Sequence, residues 1–454
     1  MLPAQPKTAY VATDTSLLHQ EPELVQRFLR LAIVNILSNL TVPLAGLVSV
    51  AFLGHLVELH YLAGVTLATV LFNYLYRTLG FLRMSTTGVT AQAVGRNDRI
   101  EVLLIGVRNS LLAIGLGLLV LLLQHPIREF SFTLLSADPA IKAAAQLYYD
   151  ARVWAAPATL LNFVIIGWLL GREKSGQVLL ISTIGNGLNI LLDYFLIVRL
   201  GWNSAGAGWA IVISQYVMAL LGLGLIGREV SWQELQAIVP KIWDQAALKQ
   251  TVSLNSNIFI RTLAFLSTFS VFTTLSSAMG ELQLAENALL LQVFSLAVYL
   301  IDGLAFATES LTGILHGQNN AKPLRFLIKI SSGTSLGFGL LFALPFVLFP
   351  MPLFTLLTNH DEVLSTIGHS VTWLIPVLGF GSLAFMLDGY FLGLAEGATL
   401  RNVALIASIG GFTPIAVLAW QTQSNDFLWL SLAVFMAIRV ILLGIQLPRT
   451  LNED

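Results

Sequence analysis

The stretch Leu111–Leu123 reads LLAIGLGLLVLLL and contains no side chain able to carry charge or make a hydrogen bond. Leu336–Phe349, LGFGLLFALPFVLF, has the same character. Both lie inside longer runs almost free of charge, and a helix needs about 20 apolar residues to cross a hydrocarbon core. Short alternating strands, the mark of a transmembrane barrel, are absent from the sequence. Of the 454 residues 56% are hydrophobic and 11% charged, against about 25% charged in a soluble domain. The composition excludes a water-soluble enzyme and points to a polytopic helical membrane protein.

Breaks marked by charge, Gly, Pro and Asn predict twelve spans: 28–52, 62–92, 102–124, 139–168, 177–198, 207–227, 251–279, 284–314, 326–349, 363–394, 402–420 and 427–446. The organisation expected is an N-terminal tail (1–27), a first lobe (28–227), a connector (228–250), a second lobe (251–446) and a C-terminal tail (447–454). The first tail is polar and has no cleavable apolar core, so the first span is expected to act as its own insertion signal. Sixteen Lys and Arg, Lys7 among them, fall on the side of the termini, and three, Arg128, Lys142 and Arg199, on the other. Basic loops stay cytoplasmic, which predicts cytoplasmic termini in a multi-pass protein of the plasma (cytoplasmic, inner) membrane. The connector Arg228–Gln250 has the amphipathic pattern of a segment lying along the membrane surface.

The two halves echo each other. Residues 61–98 align without gaps to 283–320, with Leu62, Ala63, Leu67, Phe72, Thr90, Gly95 and Asn97 finding identical partners at a constant offset. A second echo pairs Trp154 and Pro157 with Trp373 and Pro376. Two halves of six spans insert the same way round, as parallel repeats do; chance likeness between apolar helices is the alternative. The expected fold is all-α: twelve transmembrane helices in two six-helix lobes, related by a pseudo-two-fold axis normal to the membrane.

Ionisable side chains inside a bilayer are costly and invite a functional reading. Asn186, Asn189 and Asp193 fall on one helical face, a polar stripe expected to face a cavity, where the carboxyl could exchange protons. A structural role, gluing helices or pairing with an arginine, is the other reading. Asp302 and Glu309 share a face of the eighth span, and Asp388 and Arg261 lie at similar depth. Asp388–Arg261 or Asp302–Arg261 pairing would neutralise part of this charge and leave at least one carboxyl without an obvious partner, available for a proton or cation. Arg77 and Arg83 sit deep in the second span; Arg83 would either hold an anionic group or pair with protein, Asp193 being the partner within its half.

Other functions find no support. A net charge of −1 argues against nucleic acid. There is no cysteine, hence no disulfide or thiolate site. No nucleotide-binding glycine loop and no hydrolase motif appears, and the histidines do not cluster. Neither catalytic residues, a metal site nor a cofactor is expected.

The chain resembles the multidrug and toxic compound extrusion (MATE) transporters, in particular their DinF-like branch. The resemblance is carried by Pro43–Val48 with Leu53–Leu56, Phe81–Gly88, Gly167–Gly171, Gly185-Asn186, Leu188–Asp193, Leu254-Asn255 with Arg261, Asp302-Gly303, Leu387–Gly389 and Arg401-Asn402. It implies two lobes forming a V and exchange of a cation against an organic substrate. By the same resemblance Asp193 and Asn189 stand at first-lobe positions linked to proton coupling, and Asp388 at a second-lobe position linked to cation coupling. The chain departs from the family at Ser49, where relatives carry an aspartate in the first helix. Either Asp193 acts alone, or the second-lobe acids take over, or coupling is lost.

The function expected is secondary active efflux of a small, amphipathic organic substrate in exchange for H+, or Na+, by alternating access. A monomer embedded in the bilayer is expected to suffice. The alternatives are a lipid-linked precursor flippase or organic-anion exporter, with Arg77, Arg83 and Arg261 facing substrate, and, more remote, a non-transporting receptor or channel subunit.

Overall fold

The computed structural model describes residues 15–56, 58–134 and 137–451, with side chains described from residue 21 onward except at 134. Lys7 and the outermost parts of both tails lie outside the described residues. Twelve helices are long and apolar enough to cross a membrane: α1 (Glu21–Gly54), α2 (Leu59–Gly95), α3 (Arg99–Leu122), α4 (Pro139–Gly171), α5 (Ser175–Arg199), α6 (Asn203–Gly227), α7 (Gln245–Ala278), α8 (Glu281–Gly317), α9 (Ala321–Leu348), α10 (Asp361–Gly393), α11 (Gly397–Thr422) and α12 (Asn425–Leu451). One helix meets each predicted span. Many run past the predicted ends, because hydropathy marks only the apolar part of a helix that continues into the polar interface. Large apolar side chains such as Leu122 (77% exposed) and Leu341 (68%) stand on the outer surface, where only lipid can cover them.

Several helices are interrupted at informative places. Helix α2 breaks at Gly80. Helices α4 and α10 each contain a 3-10 turn, Val153–Ala155 and Val371–Trp373, close to Pro157 and Pro376, whose missing N–H groups weaken the local ladder. A π turn, Tyr194–Arg199, begins immediately after Asp193 in α5, and another, Ala407–Phe412, lies in α11.

The internal repeat is real in three dimensions. Asn97 and Asn319, the ends of the two Gly-x-Asn motifs, both take positive φ (56° and 53°), and Glu173 and Ala395 do likewise (56° and 57°); these are left-handed residues that end a helix, a role asparagine tolerates. Close helix approaches repeat at the same offset. Gly167 faces the carbonyl of Arg83 as Gly389 faces that of Ala305, and Gly171 faces that of Thr87 as Gly393 faces that of Glu309. At the centre Gly95 and Gly317 face each other across the lobe boundary, and a methyl on either would strike the other helix. The pseudo-two-fold axis passes between them. The Trp154–Pro157 and Trp373–Pro376 echo is out of step with this register, so the glycines and not the tryptophans mark equivalent positions in α4 and α10.

Three buried clusters show how the lobes join. Leu53, Phe72, Tyr148 and Ile197 belong to a core of the first lobe alone. Phe272, Phe294, Leu374 and Trp429 belong to a core of the second lobe alone. Both lie toward the end away from the termini. At the termini end Phe28, Leu31 and Leu82 of the first lobe share a core with Ile258, Leu311 and Tyr390 of the second. The lobes thus form a V closed at the termini end. Lipid is as apolar as these side chains, so close packing and hydrogen bonds, not water exclusion, hold the seam. Ser85 Oγ donates to Asn255 Oδ1 (2.5 Å), Gln92 Nε2 to the carbonyl of Gly393 (2.9 Å) and Ser310 Oγ to that of Leu170 (2.7 Å).

The connector docks on the first lobe. Its short helix Trp232–Ile238 starts with a capping box of Ser231 and Glu234. Arg108 donates to the carbonyls of Lys241 (2.6 Å) and Ile242 (3.1 Å), and Arg99 pairs with Glu234. Ile238 is buried while Trp232, Val239 and Trp243 are exposed, the amphipathic arrangement the sequence suggested.

Candidate functional site: an inter-lobe cavity and a buried carboxyl

A cavity of about 550 Å³ lies between α2 of the first lobe and α7, α8 and α10 of the second. Its wall brings together six of the charged residues singled out in the sequence: Arg77, Arg83, Arg261, Asp302, Glu309 and Asp388. Phe265, Phe269, Phe294, Phe306 and Met84 add apolar and aromatic surface to the wall. This is an amphipathic chamber of the size that takes a drug-like molecule.

The charges are organised in pairs. Asp388 Oδ2 accepts from Nη2 of Arg261 and from Nη2 of Arg439, and all three residues are buried. The guanidinium of Arg439 is further flanked by the rings of Phe265 (5.4 Å), Phe385 (5.3 Å) and Phe435 (5.4 Å). Arg261 is therefore not the only base on this carboxylate, although the pairing expected from the sequence names it alone. Arg439 supplies a second, and its signal was there: a single arginine in an otherwise apolar span requires a counterion. Arg83 Nη1 lies 3.3 Å from Glu309 Oε2 and stacks 3.9 Å from the centre of the Phe306 ring. Its partner is thus in the opposite lobe, not Asp193 in its own, because α2 packs along α8 across the seam. Among the described residues, the side chains of Arg77 and Asp302 make no ion pair or hydrogen bond.

The polar stripe of α5 is separate. Asp193, Asn189, Asn186 and Ser49 do not line the large cavity; the stripe lies against α1, whose hydroxyls meet Asn186 and one oxygen of Asp193. Asn186 Nδ2 donates to Thr41 Oγ1 (2.8 Å), and Ser49 Oγ donates to Asp193 Oδ2. Asp193 is buried, and its Oδ1 and the Nδ2 of Asn189 have no partner. Ser49 Oγ also lies 3.1 Å from the carbonyl of Ala45. A hydroxyl has one hydrogen and two lone pairs. With Asp193 ionised, that hydrogen points to the carboxylate. With Asp193 protonated, the acid donates to Oγ and the serine hydrogen turns to Ala45. Ser49 thus offers Asp193 a hydrogen bond in either protonation state, and rotation of one torsion connects the two.

Comparison with known proteins follows the same lines. The family model described as MatE matches twice, over residues 35–195 and 258–417, once in each lobe. The chain is 32% identical over 409 residues to DNA damage-inducible protein F of Escherichia coli (strain K12), covering 90% of this chain and 89% of that one. It is 27% identical to Protein DETOXIFICATION 44, chloroplastic, of Arabidopsis thaliana, covering 88% and 77%. In three dimensions it superposes on a MOP superfamily transporter from Pyrococcus furiosus with a TM-score of 0.86 at 18% identity, covering 95% and 97%.

Proposed function

The chain belongs to the MATE family of membrane transporters, and from that premise we propose that it is a secondary active exporter, moving a small amphipathic organic molecule outward in exchange for protons. The observation that carries the reading is a two-lobed V with an amphipathic chamber at its seam and a buried carboxyl, Asp193, held by a hydroxyl that serves both protonation states. With the basic, termini-bearing end in the cytoplasm of a plasma membrane, the V opens outward and is sealed inward by the shared core. Alternating access would part the Gly95–Gly317 crossing and close the other end.

Energetics require two contributions. Moving an equilibrium from 1:99 to 99:1 takes about 5.5 kcal/mol of differential binding, and a proton bound about a hundredfold more tightly in one state supplies about half of that. Substrate in the chamber supplies the rest. Because Asp193 lies outside the chamber wall, proton and substrate act on each other through the tilt of the lobes and not by contest for one carboxyl. The protein works as a monomer without a cofactor in this reading.

The test uses the full chain in vesicles bearing a pH gradient, with a panel of cationic, neutral and anionic amphipathic dyes. At least one dye is expected to collapse the gradient through the wild-type protein, and Asp193→Asn to reduce this to the level of protein-free vesicles. Undiminished exchange in the variant would move coupling to Asp302, Glu309 or Asp388, and activity that followed a sodium gradient at fixed pH would replace the proton with Na+.

A further inference from the structure

The charges of the chamber do not balance, and the imbalance has a sign. Arg77, Arg83 and Arg261 border it with Arg439 behind, against Asp302, Glu309 and Asp388. Glu309 is matched by Arg83, whereas Asp388 is shared by two guanidiniums, so the Arg261–Asp388–Arg439 group carries one positive charge in excess. The Nη1 of Arg261 finds only the thioether of Met84 at 3.6 Å, a weak acceptor. Arg77 is exposed to the chamber and, among the described residues, its guanidinium has no partner at all. The one carboxylate left unpaired, Asp302, lies in the combined field of Arg83, Arg261 and Arg77. Arg77 and Asp302 roughly offset each other in this field, so the excess positive charge of the Arg261–Asp388–Arg439 group decides the sign of the chamber, and it favours an anion over a cation.

A free guanidinium in a partly dry site is a forked donor matched to planar or trigonal oxyanions. The phenylalanines of α7 and α8 offer ring surface to the rest of the ligand. We propose that the chamber is a binding site for amphipathic organic anions, with Arg77 holding the carboxylate or sulfonate and Phe265, Phe269 and Phe294 receiving the apolar body. The proposal rests on the chamber being the transport path and names the substrate class that path accepts. Arg261 also borders the chamber, its Nη1 meeting only the Met84 thioether, while Asp193 is not part of the chamber wall.

The experiment compares two fluorescent probes of opposite charge, dansylglycine and ethidium, on the full-length protein purified in nanodiscs and reconstituted in vesicles. The wild type is expected to bind dansylglycine at least about tenfold more tightly than ethidium, and Arg77→Gln to weaken dansylglycine binding by about tenfold, which corresponds to about 1.4 kcal/mol. Arg77→Lys, which keeps the charge but loses the fork, is expected to fall between. Preference for ethidium, no binding of dansylglycine to the wild type, or equal affinity in wild type and Arg77→Gln each overturns the proposal. Should Arg77→Gln fail to fold, wild-type affinity in Arg77→Lys overturns it instead. Arg77-dependent binding of dansylglycine without flux of any dye against a pH gradient would uphold the anion site and overturn the exporter reading. Gradient-driven flux of ethidium alone would do the reverse.

Discussion

The two lobes hold their buried carboxylates in opposite ways. In the second lobe Asp388 is gripped by two guanidiniums, Arg261 and Arg439. In the first, Asp193 meets a serine hydroxyl and, among the described residues, no cation. Loss of Asp388 would strand two buried positive charges, whereas Asp193 is part of no ion pair among the described residues and is held by a single hydroxyl. The same side-chain type at two places in a repeated fold is thus ion-paired to two guanidiniums in one lobe and hydrogen-bonded to a hydroxyl in the other. What differs is the neighbour: arginine on α7 and α12 against serine on α1.

The sharpest way to break this contrast is Asp388→Asn. It leaves two buried guanidiniums facing a neutral amide, and the loss of one partner of a buried pair costs about 3–5 kcal/mol. Thermal unfolding of the purified protein should show a large drop, and the addition of Arg439→Met should recover part of it. A variant as stable as the wild type would mean that Asp388 is not the lock described here.

Ser49→Ala is the matching change in the first lobe. It removes the hydroxyl and leaves the buried Asp193 without its hydrogen bond, a cost of about 1–3 kcal/mol. The expected signature is a moved pH profile of exchange with the protein still folded. An unaltered profile would show that Ser49 merely fills space. Ser49→Asp would restore the two-acid pattern of the family and is the natural companion.

The smallest effect sharpens the contrast by carrying the second-lobe arrangement into water. Glu229 in the connector also meets two cations, Arg172 at 2.8 Å and Lys174. Partial burial would raise its pKa, but the bonds from Lys174, Gln177 and Arg172 outweigh it and hold the carboxyl at about 2. A depressed carboxyl stabilises the folded form above its unfolded pKa, and that contribution disappears as pH falls through the folded value. The stabilisation of connector docking is therefore full above about 4.5 and lost toward about 2. At this half-buried, solvent-screened site the contribution is limited to about 1 kcal/mol or less. Hydrogen exchange of the segment 229–243 should rise over that window while the spans stay protected; a flat response would show that the docking does not depend on these charges.

Much of this molecule is legible in the chain. The apolar runs give each span, and Gly-x-Asn at 95–97 and 317–319 exposed the repeat because a close crossing and a left-handed helix end need those residue types. The gathering of Arg77, Arg83, Arg261, Asp302, Glu309 and Asp388 was legible as a set of misplaced charges but not as one chamber. Arg439 was visible as an arginine in an apolar span and still went without a role, since nothing local names its counterion. The stripe Asn186–Asn189–Asp193 was read correctly as one face, but a helical wheel carries no information on whether that face meets a cavity or, as here, the hydroxyls of α1.

The division has a physical basis. Within hydrocarbon every backbone group must be satisfied inside its own helix, so the number, length and insertion of the spans depend on local composition and can be read residue by residue. Which guanidinium meets which carboxylate depends on helix rotation and on the packing of segments far apart in the chain: Arg261 with Asp388, Arg83 with Glu309, Ser49 with Asp193. Close glycine contacts set those rotations, and only the assembled lobes turn a list of buried acids into one held by two guanidiniums, one paired across the seam and one hydrogen-bonded to a serine.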